Sequence, residues 1–286
     1  MMSLSSINLD AFLACAQTGN FTRAAAKIHI TQSALSQRIQ NLESELGTSL
    51  FIRDRSGIRL TEQGDELLRY CQAKAAIETD VVGRIKGLAS DELTGVLRIG
   101  GFSSVMRSVI LPALAPLLLN YPRVKLELIS RELQQLPQLL KSGELDFVVL
   151  DRSLNREDLA SIHLGDELNA LVQKKNYKGA DIYLDHHEND EITFKYLRLR
   201  STDRAAKIER RYLDDVYGLI DGVKLGLGRA VLPLHLVQGD KELSVVEKDR
   251  SLKIPVVLHH YVRPFYSKLH HEVLDILKNQ AGKYLS

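Results

Sequence analysis

Apolar positions near the amino terminus recur at helical spacing. Leu9, Phe12, Leu13 and Ala16 share one face of a helix predicted over residues 9–18 and ended by Gly19. Thr22 is placed to cap a short alanine-rich helix, 23–28, and after a tight turn at His29 and Ile30, Thr31 is placed to cap a third, 32–46. In that third helix Leu35, Ile39, Leu42 and Leu46 form a stripe for burial, and Gly47 stops it. The pattern then changes: SLFIRDRSGIRLT reads as two short strands around Asp54-Arg55-Ser56-Gly57, a wing-like hairpin.

From position 61 to about 89 the chain lacks proline and favours helix. Leu68, Cys71, Ala75, Val82, Ile85 and Ala89 keep a 3-4 spacing interrupted by Glu78, a modest coiled-coil seam. Leu93-Thr94-Gly95 breaks it and marks a boundary. Strands then alternate with helices: VLRIG, a helix over 104–120 containing Pro112 and Pro116, VKLELIS, a helix over 133–144, and DFVVL. Such alternation predicts parallel βαβ units with ligands at the carboxyl ends of the strands. Residues 161–174 read as an extended crossover to a second lobe, 214–233 as a helix–strand unit, and VVLHHYV and 265–279 as a closing strand and helix.

Composition narrows this picture. The 286 residues suffice for two or three domains. The start of the chain lacks the basic and apolar regions of a signal peptide, and no uninterrupted apolar run of spanning length is expected. Two isolated cysteines, Cys15 and Cys71, suggest a reducing compartment, so a cytoplasmic location is expected. Net charge is only +2, so a nucleic-acid surface must be local. Arg23, Lys27, Arg38, Arg53, Arg55 and Arg59 supply such a concentration, three of them in the hairpin.

FTRAAAKIHITQSALSQRIQNLESELGTSLFIRDRSGIRLTEQG closely resembles the DNA-binding domain of LysR-type transcriptional regulators, and the resemblance continues through LRIG, YPRVKLELIS, LKSGELDFVVL and GLGRAVLP. It implies an α/β protein with three parts. A winged helix-turn-helix occupies 1–61, a linker and dimerisation helix 62–92, and a two-lobe sensor like periplasmic binding proteins 93–286. Lobe one takes 93–160 and 263–286; lobe two takes 161–262. The implied function is sequence-specific transcription control by a homodimer or homotetramer on double-stranded DNA. A small effector, an amino acid or an organic anion, binds between the lobes, and neither cofactor nor membrane is implied.

The second helix of a helix-turn-helix reads the major groove from its amino-terminal residues. Gln32, Ser33, Ser36 and Gln37 hold those places, with Arg38 one step round the helix. Gln pairs well with adenine and Ser with several bases. Thr31 is placed for a backbone phosphate, and by resemblance Arg53 or Arg55 contacts phosphates or the minor groove. Many relatives have Arg where this chain has Gln37.

For the effector, the resemblance implies the loop Gly101-Phe102-Ser103-Ser104, where glycine admits close approach and hydroxyls with free helix N–H groups suit an anion. Ser103 and Ser104 equally suit plain helix capping. Ser130 and Arg131 after the second strand, and Asp151 and Arg152 after the third, border the same cleft, although arginines in such places are more often solvated. Between Lys175 and Asp214 the chain is about 15 residues shorter than is usual for this resemblance. The expectation is a shortened second lobe with an effector pocket altered or lost. HITQSALSQRIQNLE looks closest to the branch that senses basic amino acids.

Other chemistries have weaker support. The pairs His186-His187, His259-His260 and His270-His271 diverge on either a strand or a helix and accompany no metal-ligand spacing. GLGRA is a lone GxG, read as a turn. No nucleophile–base constellation or carboxylate pair suggests an enzyme, and a stand-alone solute carrier would not need the winged helix.

Overall fold

The computed structural model describes residues 4–54, 57–85, 93–199, 208–247, 249–263 and 265–285. Three helices open it: α1 (Ser6–Thr18), α2 (Phe21–Lys27) and α3 (Gln32–Leu46). Leu9, Phe12 and Cys15 of α1 meet Ala24 and Ala25 of α2 and the Leu35–Ile39–Leu42 stripe of α3 in one core. The antiparallel hairpin β1 (Phe51–Asp54) and β2 (Gly57–Leu60) closes this unit by setting the Phe51 ring 5.3 Å from that of Phe12. The cap of α2 is Asn20, not Thr22: its Oδ1 accepts from the amides of Thr22 and Arg23, because Asn20 is the last extended residue before the helix. Thr31 does cap α3, accepting from the Ala34 amide.

Helix α4 (Glu62–Ile85) follows. Its expected seam divides in two. Leu68 and Cys71 are buried in the winged-helix core, so they are not free to meet a partner helix. Tyr70, Ile77, Val81, Val82 and Ile85 instead keep large apolar surfaces in solvent. Ala89 lies outside the described residues.

Beyond the linker, β3 (Gly95–Gly101) lies between β4 (Val124–Ser130) and β5 (Phe147–Leu150), all parallel. Between β3 and β4 the chain is helical from Ser103 to Asn120: α5 (Ser103–Val105), a π-turn at Met106–Ile110 and α6 (Leu111–Asn120). Proline at 112 and 116 removes two amide donors, and the π-turn lies against the first of them. This run meets the length and apolarity of a membrane span, contrary to the expectation from sequence, but it buries Val105, Val109, Ile110, Leu114 and Leu117 in the core of lobe one. Helix α7 (Leu136–Lys141) covers the opposite face of the sheet.

The crossover is β6 (Leu159–Lys174), a single 16-residue strand. After it come β7 (Ile182–Asp185), α8 (Ile192–Arg198), β8 (Glu209–Tyr212), α9 (Val216–Leu225), β9 (Ala230–Pro233), α10 (Leu234–Val237) and β10 (Leu243–Val245). Then β11 (Leu252–Tyr261) returns antiparallel to β6 along its full length, and α11 (Lys268–Gln280), capped by Ser267, packs on lobe one. The large sheet therefore has the order β10-β6-β11-β5-β3-β4, with β9 also on β6. The register of β6 and β11 shifts between Val256 and Val257. Opposite that step Gly165 has φ +147°, and Leu285 packs where a side chain at 165 would stand.

Candidate functional site

Two surfaces carry the residues singled out in the sequence. On α3 the buried stripe faces α1 and α2, which leaves Gln32, Ser33 and Gln37 exposed and Ser36 and Arg38 half-buried. Gln32 Nε2 donates to Ser36 Oγ at 3.1 Å, Thr31 Oγ1 and Ser33 Oγ are 3.0 Å apart, and Gln37 Nε2 donates to Asn41 Oδ1 at 2.9 Å. The outer face thus carries three hydrogen-bonded pairs of polar groups, the type that exchanges its own hydrogen bonds for base edges. Gln40, one turn beyond Ser36 and Gln37, is exposed on that face and was not singled out; its i+3 and i+4 spacing was the available signal. Glu43 Oε1 accepts from the Leu50 amide at 2.7 Å and ties α3 to the start of the wing. The Arg53 guanidinium sits 4.5 Å over the Phe21 ring, at the junction of wing and α2. Arg55 lies outside the described residues.

Between the lobes lies a cavity of about 390 Å³, of the size used for small ligands. Its near wall is built by the segments that leave β3, β4 and β5. Phe102, Ser103, Ser104, Ser130, Arg131 and Asp151 all line it. Gly101 does not: a Cβ there would stand 2.6 Å from Met106 Sδ, so the glycine serves packing beneath the loop. Arg152 also lies outside the lining. Its side chain pairs with Asp151 at 2.8 Å, and its carbonyl sits 3.0 Å from His259 Nε2.

Despite the shortened interval, residues of the second lobe line the other side of the cavity, and the expectation of a lost pocket is corrected. The turn after β7 contributes His186, His187 and Asp190; α8 contributes Ile192 and Lys195; the start of α9 contributes Asp214 and Asp215. A buried ion pair holds the turn in place. Arg210 of β8 donates to Asp185, which is fully buried, and to the carbonyls of His187, Glu188 and Asp190. Within the turn, His186 Nδ1 and Asp190 Oδ2 are 2.7 Å apart. Burial acts to lower the His186 pKa, but that hydrogen bond and the charges of Asp190, Asp185 and Glu132 outweigh it and raise it. Burial acts to raise Asp190, and the bonds from His186 and the Ile192 amide overcome it and bring it to about 2.

The floor is polar and closed to solvent. Ser104 Oγ donates to Glu167 Oε1 at 2.9 Å, Asn169 Nδ2 reaches Glu167 Oε2 at 3.4 Å, and His235 Nε2 lies 3.8 Å from Glu167 and 2.8 Å from Ser108 Oγ. Ser104 is therefore engaged within the floor, while Ser103 stands at the rim. Burial pushes the Glu167 carboxyl up and the His235 imidazole down. Glu167 and Asn169 escaped the sequence reading because they sit in a strand taken only as a crossover. Elsewhere, Cys15 and Cys71 are buried thiols pushed up by that burial to about 12 and about 11, which keeps them unreactive.

Residues 8–65 match the model of the bacterial regulatory helix-turn-helix protein, lysR family, and residues 90–282 match that of the LysR substrate binding domain. The regulator EstR of Acinetobacter baylyi is 28% identical over 299 residues, covering 97% of this chain and 98% of its own. ArgP from Mycobacterium tuberculosis superposes with a TM-score of 0.76 at 22% identity, over 98% of each chain. Full-length LysG from Corynebacterium glutamicum, with bound effector Arg, gives 0.74 at 17% identity over 98% of this chain and 99% of its own. With the family's DNA-binding and effector-binding domains joined in its order, this chain belongs to the LysR family of transcriptional regulators and is not an enzyme.

Proposed function

We propose that α3 enters the major groove and reads bases through Gln32, Ser33, Ser36 and Gln37, with Thr31, Arg38 and the wing residues Arg53 and Arg55 on the phosphate backbone. The observation that carries this reading is the division of α3 into a fully buried apolar stripe and a polar face. The exposed apolar residues of α4, from Tyr70 to Ile85, supply a surface for pairing with a second copy, as a homodimer or homotetramer on an inverted repeat. The protein works in the cytoplasm, where its DNA target is.

The cavity between the lobes is the effector site, with Phe102, Ser103, Ser130, Arg131 and Asp151 on one wall and the 186–195 segment on the other. LysG, similar in fold, is described with bound Arg, an amino acid that matches a cavity of this volume. An effector that touches both walls favours one relative pose of the lobes and so shifts the assembly on DNA.

Footprinting on DNA upstream of its own gene, across a salt series, tests the DNA reading. Sequence-selective protection with a steep salt slope is expected. Ser33→Ala and Gln37→Ala should relax the base preference, whereas Arg53→Ala should lower affinity for all sequences alike and reduce the salt slope by about one. Binding that stays non-selective at every salt concentration contradicts the assignment.

A further inference from the structure

The floor of the cleft holds an unresolved imbalance of charge and hydrogen bonding. Glu167 is 4% exposed and Asn169 wholly buried, and both line the cavity. Among the described residues no permanent cation pairs with Glu167; of the histidines near it, His235 lies 3.8 Å away with its pKa lowered by burial, and His186 across the cavity acts on the carboxyl electrostatically without a hydrogen bond to it. The hydroxyl of Ser104 and the amide nitrogen of Asn169 satisfy it only in part. Asn169 Oδ1 is buried without a hydrogen-bond partner. Flipping the amide offers no relief, since it would bring Oδ1 against an ionised Glu167 oxygen and leave the nitrogen orphaned instead. Two acceptors, one of them charged, thus face one cavity and lack a shared donor. A buried carboxylate and an unpaired acceptor are both costly unless something satisfies them.

The surroundings select the donor. The lining contains seven carboxylates against two permanent cations, Arg131 and Lys195, so the cleft favours positive charge. Val231, Pro233 and Ile254 supply apolar surface beside the floor, suited to a short aliphatic stem. Arg131, exposed, and Ser103, half-buried, also line the cavity, where a carboxylate can be met.

Resting on the reading of this cleft as the effector site, we propose that the effector is a cationic amine or basic amino acid whose ammonium or guanidinium group docks against the cavity side of the Glu167–Asn169 pair. The hydroxyls and helical N–H groups at 103–104, read from the sequence as an anion site, then serve the other end of the molecule or the floor itself.

Calorimetry on the full-length protein provides the test, with L-lysine, L-arginine, cadaverine, L-norleucine and glutarate as probes, and hydrogen exchange mapping where each one acts. Lysine or arginine should bind saturably and protect peptides spanning 102–108 and 165–171. Norleucine, which lacks only the side-chain ammonium of lysine, should bind at least about tenfold more weakly, the loss typical of one charged hydrogen bond. Binding by cadaverine identifies the class as an amine; its failure identifies an amino acid. Glu167→Gln keeps the shape and should remove the preference for lysine over norleucine, while Asn169→Asp adds a charge and should keep or strengthen it. Equal binding of norleucine and lysine, or a preference that survives Glu167→Gln, overturns the proposal, as does the absence of saturable binding by every cationic probe. Glutarate protecting those same peptides overturns it while leaving the cleft as the effector site. Protection by lysine confined to other peptides overturns the cleft reading itself.

Discussion

Replacing Arg210 tests whether the far wall of the cleft is held by a single side chain. Its guanidinium reaches a fully buried carboxylate and three backbone carbonyls of the 187–190 turn, and stacks 4.8 Å from the Phe194 ring centroid. Arg210→Ala leaves Asp185 buried with only Thr193 as a side-chain donor among the described residues and frees the three carbonyls. Summing four charge-assisted bonds would overstate the loss because they are not independent. Breaking a buried pair by removing one partner costs about 3–5 kcal/mol. At 1.4 kcal/mol per decade this is roughly two to three and a half powers of ten in the opening equilibrium of the turn. Native-state hydrogen exchange reads that equilibrium directly. Amides at 186–192 should lose protection by this factor, while those of α1 to α3 stay unchanged. Arg210→Lys should lie between, because an ammonium can meet Asp185 but cannot span three carbonyls. Exchange at 186–192 in Arg210→Ala within about threefold of wild type would refute the reasoning, since the turn would then have some other support.

Three further outcomes follow from the geometry. Asn20→Ala should destabilise the winged helix by about 1 kcal/mol in urea titration, while Thr22→Ala stays near neutral, because only Asn20 accepts the free amides of α2. Neither cysteine should react with a thiol reagent in the native protein near neutral pH, since burial holds Cys15 at about 12 and Cys71 at about 11; stoichiometric labelling without unfolding would contradict this. For His186, the raised pKa means that pairing with Asp190 contributes stability fully below the ordinary value of 6.5 and loses it as pH rises through the folded value. Asp190, lowered from 3.8 to about 2, loses its own contribution only as pH falls through that range. The sensor's urea midpoint should therefore drop as pH rises from about 6.5 through the raised His186 value, and Asp190→Asn should flatten that drop.

The winged helix was legible in sequence because its elements are local. Leu35, Ile39 and Leu42 announce α3, and Gly19 and Gly47, both with positive φ, end helices where they were expected to. The linker was half legible: helical spacing identified the apolar residues but not their partner, and Leu68 and Cys71 turned inward to a core built from sequence far upstream. The near wall of the cleft followed from the rule that βαβ ligands sit at strand ends. The far wall did not. Its turn depends on Arg210 meeting Asp185 across 25 residues, a pairing that no periodicity records. Glu167 and Asn169 were hidden for a related reason. In a strand that mixes buried and exposed positions without a strict alternation, a polar residue reads as surface until the neighbouring elements show that it lines a cavity.

Strands β6 and β11 run through both lobes as one ladder, slipped only between Val256 and Val257. The lobes are thus not two bodies on a flexible tether but two ends of one ribbon. That slip is where the ladder is least regular, and there Gly165 supplies a backbone conformation that other residues avoid. Such a joint is stiff to stretching and soft to torsion. An effector that draws the walls together would wind the ribbon rather than shut a clam, and what reaches the linker helix would be a turn of lobe one about the strand axis.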